Sequence, residues 1–183
     1  MRQDDTTEIR SLRPLVYASL FAALMAVGAY LFVPIGPVPI VLQNMFVFLA
    51  GLLLGSRWGL ASVALYLLAG FCGLPVFAGG TGGIGRFLGP TGGFLVGYLP
   101  AVFLIGAIAD RRPPRMLWDV AAMVLGSAVL YACGVAWLKI VTGTTLAKAA
   151  AVGMLPFLAG DALKIAAAAV IAKTVRPIMP AKF

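Results

Sequence analysis

The chain has 183 residues, 62% of them apolar and only 11% charged, and its mean hydropathy of +1.03 lies outside the range of soluble folds. Fourteen Lys and Arg against six Asp and Glu give a net charge of +8, yet no stretch interleaves basic residues with aromatics as a nucleic-acid groove would. There is no histidine, and Cys72 and Cys133 sit in separate apolar segments, which argues against metal cages, histidine catalysis and a disulfide framework. The composition is that of an integral membrane protein.

The first thirteen residues form a polar tail carrying Arg2, Asp4, Asp5, Glu8, Arg10 and Arg13, and no small-residue cleavage site follows the next apolar stretch, so no cleaved signal peptide is expected. Residues 14–56 contain no charge at all, far more than the roughly 20 residues of one crossing. The prolines at 34, 37 and 39 must break this run. That predicts one helix over about 14–33 and a second over about 40–55. A third, over about 58–71, is too short to cross alone.

Between Cys72 and Gly93 lie nine glycines and two prolines, a composition that cannot hold a lipid-facing helix and requires cover by protein or a cavity. Further helices are predicted over about 93–109, 116–140 and 156–174, giving six crossings in a single membrane domain over 1–183. Residues 141–155 hold an alanine-rich stretch suited to a short interfacial helix.

Cytoplasmic loops carry the Lys and Arg excess. The tail, Arg57, the Arg111/Arg112/Arg115 loop and the Lys173/Arg176/Lys182 terminus hold ten, against Arg86, Lys139 and Lys148 in the opposite loops. Six helices put both termini on one side, here the cytoplasm. The three irregular segments, 34–39, 72–93 and 141–155, then converge on the outer face over one pocket.

Asp161 and Lys164 are the strongest chemical signal, because an ionisable residue inside a spanning helix costs about 2.5–3.5 kcal/mol on insertion scales. Three positions apart, they share a helix face; the alternative is a neutralised structural pair. Arg86 stands alone among the glycines and offers a fork suited to a carboxylate or phosphate, or simply meets water. Gln43 and Asn44, at the outer end of the second helix, present both donors and acceptors to a polar ligand or glue helices together. Phe77, Phe87, Phe94 and Tyr98 flank the glycine loop and suit either ring stacking or core packing. Gly80-Thr-Gly82-Gly-Ile-Gly85 matches G-x-G-x-x-G but lacks the strand and helix context of a nucleotide site. No phosphate-binding G-x-x-x-x-G-K-[ST] is present, so an ATP motor would have to be another subunit. Ala18, Ala22 and Ala26 form a small-residue stripe fit for close helix approach.

The string PVPIVLQNMFVFLAGLLLGSRWG, the segment GLPVFAGGTGGIGRFLGPTGGFLVGY and the nonapeptide PFLAGDALK together resemble the BioY family, the biotin-specific S components of energy-coupling factor transporters, over nearly the whole chain. The resemblance implies a biotin receptor in the prokaryotic cytoplasmic membrane. It also implies a transmembrane coupling subunit and a pair of cytosolic ATPases as partners, with no cofactor, no metal and no enzymatic activity. The family's acid and lysine fall on Asp161 and Lys164, its loop glycines on Gly79, Gly80, Gly82, Gly83 and Gly93, its glutamine on Gln43, and its docking stripe on Ala18, Ala22 and Ala26. On this reading Asp161 accepts a ureido N–H, Lys164 or Gln43 donates to the ureido carbonyl, Phe77 and its neighbours cover the ring, and Arg86 takes the carboxylate, a role Lys164 could exchange with it. The glycine loop is the hinge that closes the outer side, and the whole chain topples to release ligand inward. Membrane lipid surrounds the chain, and a homo-oligomer is left open. The rival readings are an ion-gradient transporter or channel using Asp161 as its ion site, which lacks a detectable inverted repeat, and an intramembrane enzyme, which lacks a second catalytic group.

Overall fold

The computed structural model describes residues 3–34 and 37–179, with side chains from Leu12 onward, so Arg2 and Lys182 lie outside the described residues. Helix α1 (Gln3–Tyr30) leads into a short antiparallel ladder of β1 (Phe32–Val33) and β2 (Ile40–Val41). Then come α2 (Gln43–Phe71), α3 (Gly85–Leu88), α4 (Gly92–Arg111), α5 (Met116–Thr142), α6 (Leu146–Gly153) and α7 (Leu158–Val175), with a 3-10 turn at Leu155–Phe157 before the last. Five stretches are long and apolar enough to cross a bilayer: Leu12–Tyr30, Gln43–Phe71, Gly92–Arg111, Met116–Thr142 and Leu146–Val175.

The second of these is two helices. Gly55 lies at φ +75° and ψ −172°, a backbone region that is essentially glycine-only. Beyond it Gly59 packs on the carbonyl of Ala50, where an added Cβ would come within 3.1 Å; a continuous helix would hold these residues about 13 Å apart. Tyr66 stands beside Gln43. The limbs 43–54 and 56–71 therefore form an antiparallel helical hairpin, and the six expected membrane segments are present. The Asp110 carboxylate accepts from the Ser56 amide at 3.0 Å and the Ser56 hydroxyl at 2.7 Å, satisfying donors that the reversal frees.

Contacts between elements assign each helix end to one of two faces. On one face the Leu42 amide donates to the Leu31 carbonyl at 3.0 Å, the Tyr30 hydroxyl to the Pro75 carbonyl at 2.5 Å, and the Trp137 indole to the Gly89 carbonyl at 2.9 Å. On the other, Asp110 meets the Gly55 reversal. There Arg176 donates to both oxygens of Asp119, each at 3.0 Å, and to the Leu52 carbonyl at 3.4 Å. The glycine-rich segment, the proline-rich connection and the α5–α7 connection thus share one face, and the start of α1 and the end of α7 share the opposite one. α2 packs on α1 and α4, α4 on α5, and α7 closes the bundle against α2 and α5. Met25, Val47, Phe48, Val63, Tyr66, Ile105 and Met123 fill its centre.

Several boundaries differ from expectation. α1 begins within the charged tail rather than at Pro14, a residue the helix accommodates internally. It stops at Tyr30 because Phe32 and Val33 pair with Val41 and Ile40, pinning the proline-rich connection. The same ladder delays α2 to Gln43. The alanine-rich stretch forms α6, after Gly143 in the left-handed region ends α5 and Thr145 caps the new helix by accepting from the Lys148 amide at 3.3 Å.

Replacing Gly55 by Ala forces an L side chain into a glycine-only region and drives its Cβ into the Asp110 carboxylate. A loss of at least about 1–3 kcal/mol is expected. It would be read as a lowered thermal midpoint of the detergent-solubilised protein, and an unchanged midpoint would contradict the reversal.

Candidate functional site

The 72–91 segment is held in shape by its own backbone. Phe77 donates to Thr81 at 2.8 Å and accepts from Gly80 at 3.0 Å, a tight turn whose inner residues Gly79 and Gly80 both have positive φ, +76° and +67°. Side chains other than glycine are strained there, which accounts for the glycine pair. Gly82 leaves no room for a Cβ against the Leu74 carbonyl, and the Gly83 amide ties the loop to the Gly70 carbonyl at 2.7 Å. Phe77 is buried over Gly70, edge-on to Tyr66 and Phe87.

Beneath this turn lies a small cavity of about 50 Å³ lined by Gln43, Phe77, Thr81, Arg86, Phe94 and Tyr98, among others. Gln43 is 2% exposed, and its Nε2, beside the Tyr66 hydroxyl, makes no hydrogen bond of good geometry; an underused buried donor costs up to about 1–3 kcal/mol. The Arg86 guanidinium, carried by the single turn α3, pairs with no carboxylate among the described residues: Asp119 is taken by Arg176 and Asp161 by Lys164.

Asp161, in the first turn of α7, is buried. One carboxylate oxygen accepts from Lys164 Nζ at 2.8 Å and the other from the Tyr131 hydroxyl of α5. Burial of a charge demands this kind of compensation. Tyr98 of α4 lies within electrostatic reach of Asp161 and Tyr131 and donates to Asn44 Oδ1 at 2.5 Å. A string of polar groups therefore crosses the core from Gln43, Asn44 and Tyr66 through Tyr98 to Tyr131, Asp161 and Lys164. Asp161, Tyr131 and Ser127, whose hydroxyl has no hydrogen-bond partner, also form the polar edge of a mostly apolar groove of about 640 Å³ between α5, α6 and α7.

Of the sequence-predicted residues, Gln43, Phe77 and Arg86 meet in one cavity, with Thr81, Phe94 and Tyr98. Asp161 and Lys164 lie outside that cavity, and Asp161 is linked to it only through its electrostatic contact with Tyr98. Gly79, Gly80, Gly82 and Gly83 build the loop, whereas Gly93 is a contact between helices, its α-carbon against Trp137 and Cys133 of α5. Tyr66, Tyr98 and Tyr131 as polar partners were not foreseen beyond Tyr98 as an aromatic flank. Their signal is weak, a single hydroxyl in an apolar run. The stripe on α1 is turned differently from expectation: Ala18 and Ala22 are buried, at 2% and 8% exposure, and Ala26 is half-buried. Close packing of α1 on α2 uses these small residues inside the chain, and the outward small positions are Ser19 and Ala23.

Fold and site define a polytopic membrane protein with a loop-capped, polar-lined cavity at one face and no separate soluble domain among the described residues. The family model described as the BioY family matches residues 1–181. The biotin transporter BioY of Thermotoga maritima is 42% identical over 161 residues, covering 88% of this chain and 94% of that one. That of Rhizobium etli is 38% identical, covering 94% and 99%. A crystal structure described as the S-component for biotin from an ECF-type ABC transporter superposes with a TM-score of 0.87 at 31% identity, covering 97% of this chain and 95% of that one. The chain belongs to the BioY family, whose members are transport proteins rather than enzymes.

Lys164→Met leaves the Asp161 carboxylate buried with only Tyr131 to compensate it, and a loss of about 3 kcal/mol in stability is expected. The Asp161→Asn/Lys164→Met double variant should recover part of that loss in a thermal melt. Equal melting of both variants would show that the pair is not coupled.

Proposed function

We propose that this chain is the biotin-capturing membrane subunit of an energy-coupling factor transporter, taking up biotin at the glycine-loop face and passing it inward with a transmembrane coupling subunit and cytosolic ATPases. Family membership supports the ligand class. The unpartnered Nε2 of Gln43, buried beside an unpaired Arg86, supports its place.

Biotin carries a ureido ring with two N–H donors and a carbonyl, a thioether ring, and a carboxylate on an apolar tail. Gln43 Nε2 donates to a ligand acceptor, Arg86 holds the carboxylate near the loop, Phe77 and Tyr98 flank the ring system, and the Tyr131–Asp161–Lys164 group supplies the deep polar contacts. Asp161 keeps acceptor capacity for a ureido N–H, since an ionised carboxylate has about four lone-pair sites and two are filled here. A cavity of about 50 Å³ is below the roughly 300 Å³ of small-molecule sites, so ligand entry requires the 72–91 segment to lift and reseat. The excess of Arg and Lys at the Gly55 end orients that end to the cytoplasm and the loop outward.

The testing experiment is calorimetric titration of the purified chain, without partners, with biotin and with an analogue lacking the ureido group. Binding lost with the analogue is expected, and a folded sample that binds neither overturns the reading. Arg86→Gln should weaken biotin by about tenfold to a hundredfold while changing the affinity for biotin amide little, because a hydrogen bond to a charged group is worth about 1.5–3 kcal/mol. Equal losses for acid and amide would remove Arg86 from the carboxylate.

The outward small positions of α1, Ser19 and Ala23 beside Ala26, form the surface we assign to the coupling subunit. Ala23→Leu should preserve biotin binding and thermal stability while reducing co-purification with that subunit. Ala22→Leu, by contrast, overpacks the chain's own core and should cost about 1–3 kcal/mol in stability. Reversal of the two phenotypes would return the docking role to the inner stripe.

A further inference from the structure

At the end of the bundle opposite the glycine loop lies a second cavity, of about 490 Å³, formed where the Gly55 reversal, the α4–α5 connection and the end of α7 meet. This volume falls within the range of small-molecule sites. Its walls are of two kinds. Leu52, Leu53, Leu54 and Met179 supply apolar surface, while Arg57, Arg112, Asp110, Asp119 and Arg176 supply charge.

Most of that charge is already engaged. Arg176 grips Asp119 with two bonds of 3.0 Å, and Asp110 accepts from Ser56. Arg57 and Arg112 are different. Each lies against an indole, Arg57 at 5.7 Å from the Trp58 centroid and Arg112 at 4.4 Å from the Trp118 centroid, and neither pairs with a carboxylate among the described residues. A cation–π contact orients a guanidinium without neutralising it. The cavity therefore presents two positive forks, two tryptophans of the kind that settle at headgroup depth, and an apolar wall, all at the ends of membrane helices.

We propose that this cavity binds the phosphate of an anionic phospholipid headgroup, with Arg57 and Arg112 as its cationic partners and Trp58 and Trp118 beside its glycerol. Arginine suits this task because its planar fork matches phosphate oxygens two at a time. The apolar wall favours a lipid over a soluble phosphate, since a free anion has no use for Leu52 to Leu54. This site is separate from the biotin cavity and does not depend on it.

The test is native mass spectrometry of the full chain released from detergent, titrated with phosphatidylglycerol, phosphatidylcholine or inorganic phosphate. One retained phosphatidylglycerol is expected, preferred over phosphatidylcholine by about thirtyfold, as two juxtamembrane arginines would give. The Arg57→Gln/Arg112→Gln double variant should fall to the phosphatidylcholine level, whereas Arg115→Gln, outside the cavity, should retain the preference. Biotin affinity and the thermal midpoint report that each variant is folded. Equal retention of the two lipids, or a double variant that retains phosphatidylglycerol as the parent does, overturns the proposal. Displacement of the lipid by millimolar inorganic phosphate overturns the lipid assignment in favour of a soluble phosphate.

Discussion

The glycine-loop end of this molecule depends on a reversal at its other end. Without the glycine-only backbone of Gly55, residues 43–71 would form one rod about 43 Å long, and Gln43 and Tyr66 would stand about 34 Å apart. Folded back, the two limbs bring those residues side by side under the loop. The reversal also releases backbone donors, and Asp110 takes up that of Ser56. Gly106 belongs to the same arrangement, because a side chain there would occupy the space of Gly55 and Ser56. One unusual backbone conformation, one carboxylate and one small residue on the facing helix together set the geometry of the far cavity.

The polar string across the core follows from a related constraint. A hydroxyl or carboxylate in a bilayer must find its partner within the protein, so each polar group recruits the next. Asp161 requires Lys164, which shares its helix face, and Tyr131, which does not. Tyr98 requires Asn44, from another helix again. This chain of obligations fixes the mutual rotation of α2, α4, α5 and α7 more firmly than apolar packing would, since apolar contacts tolerate small rotations and hydrogen bonds do not. Gln43 Nε2 and Ser127 Oγ are the buried exceptions among the described residues. Gln43 stands with the half-buried Arg86 in one cavity, and those two donors are what the ligand proposed above would meet.

Residues that declare themselves by type or spacing were legible in the sequence. The break near 55–57, the glycine-rich cover and the Asp161–Lys164 pair all announce themselves locally. So does the six-helix count, because charge-free runs and their interruptions are a one-dimensional signal. Pairings between distant positions were not. Nothing in the sequence links Asp119 to Arg176, fifty-seven residues on, or Tyr131 to Asp161. The alanine stripe on α1 shows a different limit. Its spacing proves that Ala18, Ala22 and Ala26 share a face, but a small residue suits contact with the chain's own α2 as well as with a partner. Only the packing of α1 against Phe46 and its neighbours decides which face is which. Gly93 failed as a loop residue for a similar reason, since a glycine that lets a tryptophan approach and a glycine that lets a backbone turn look alike in sequence.

The loop, rather than the helices, is the part built to yield. Apart from the bonds at its two ends that continue the flanking helices, segment 72–91 is tied to the bundle by single hydrogen bonds: Tyr30 to Pro75, Tyr66 to Val76 at 3.1 Å, Gly83 to Gly70 and Trp137 to Gly89. Each is worth about 1 kcal/mol net, so freeing the segment from these four ties costs about 4 kcal/mol, and exposing the buried Phe77 adds about 1.5–3 kcal/mol. Moving α7 instead would strip the Asp161–Lys164 pair of Tyr131 and the inner face of its Arg176 clamp, and a buried charge that loses a partner costs about 3–5 kcal/mol on its own. In the function proposed above, binding would proceed by exchange at the cover: the loop gives up its ties, Phe77 leaves its packing on Gly70, and Gln43 and Arg86 meet the ligand when the segment closes again. The inner-face clamp of Arg176 on Asp119 has no part in that exchange, because it lies at the opposite end of the bundle.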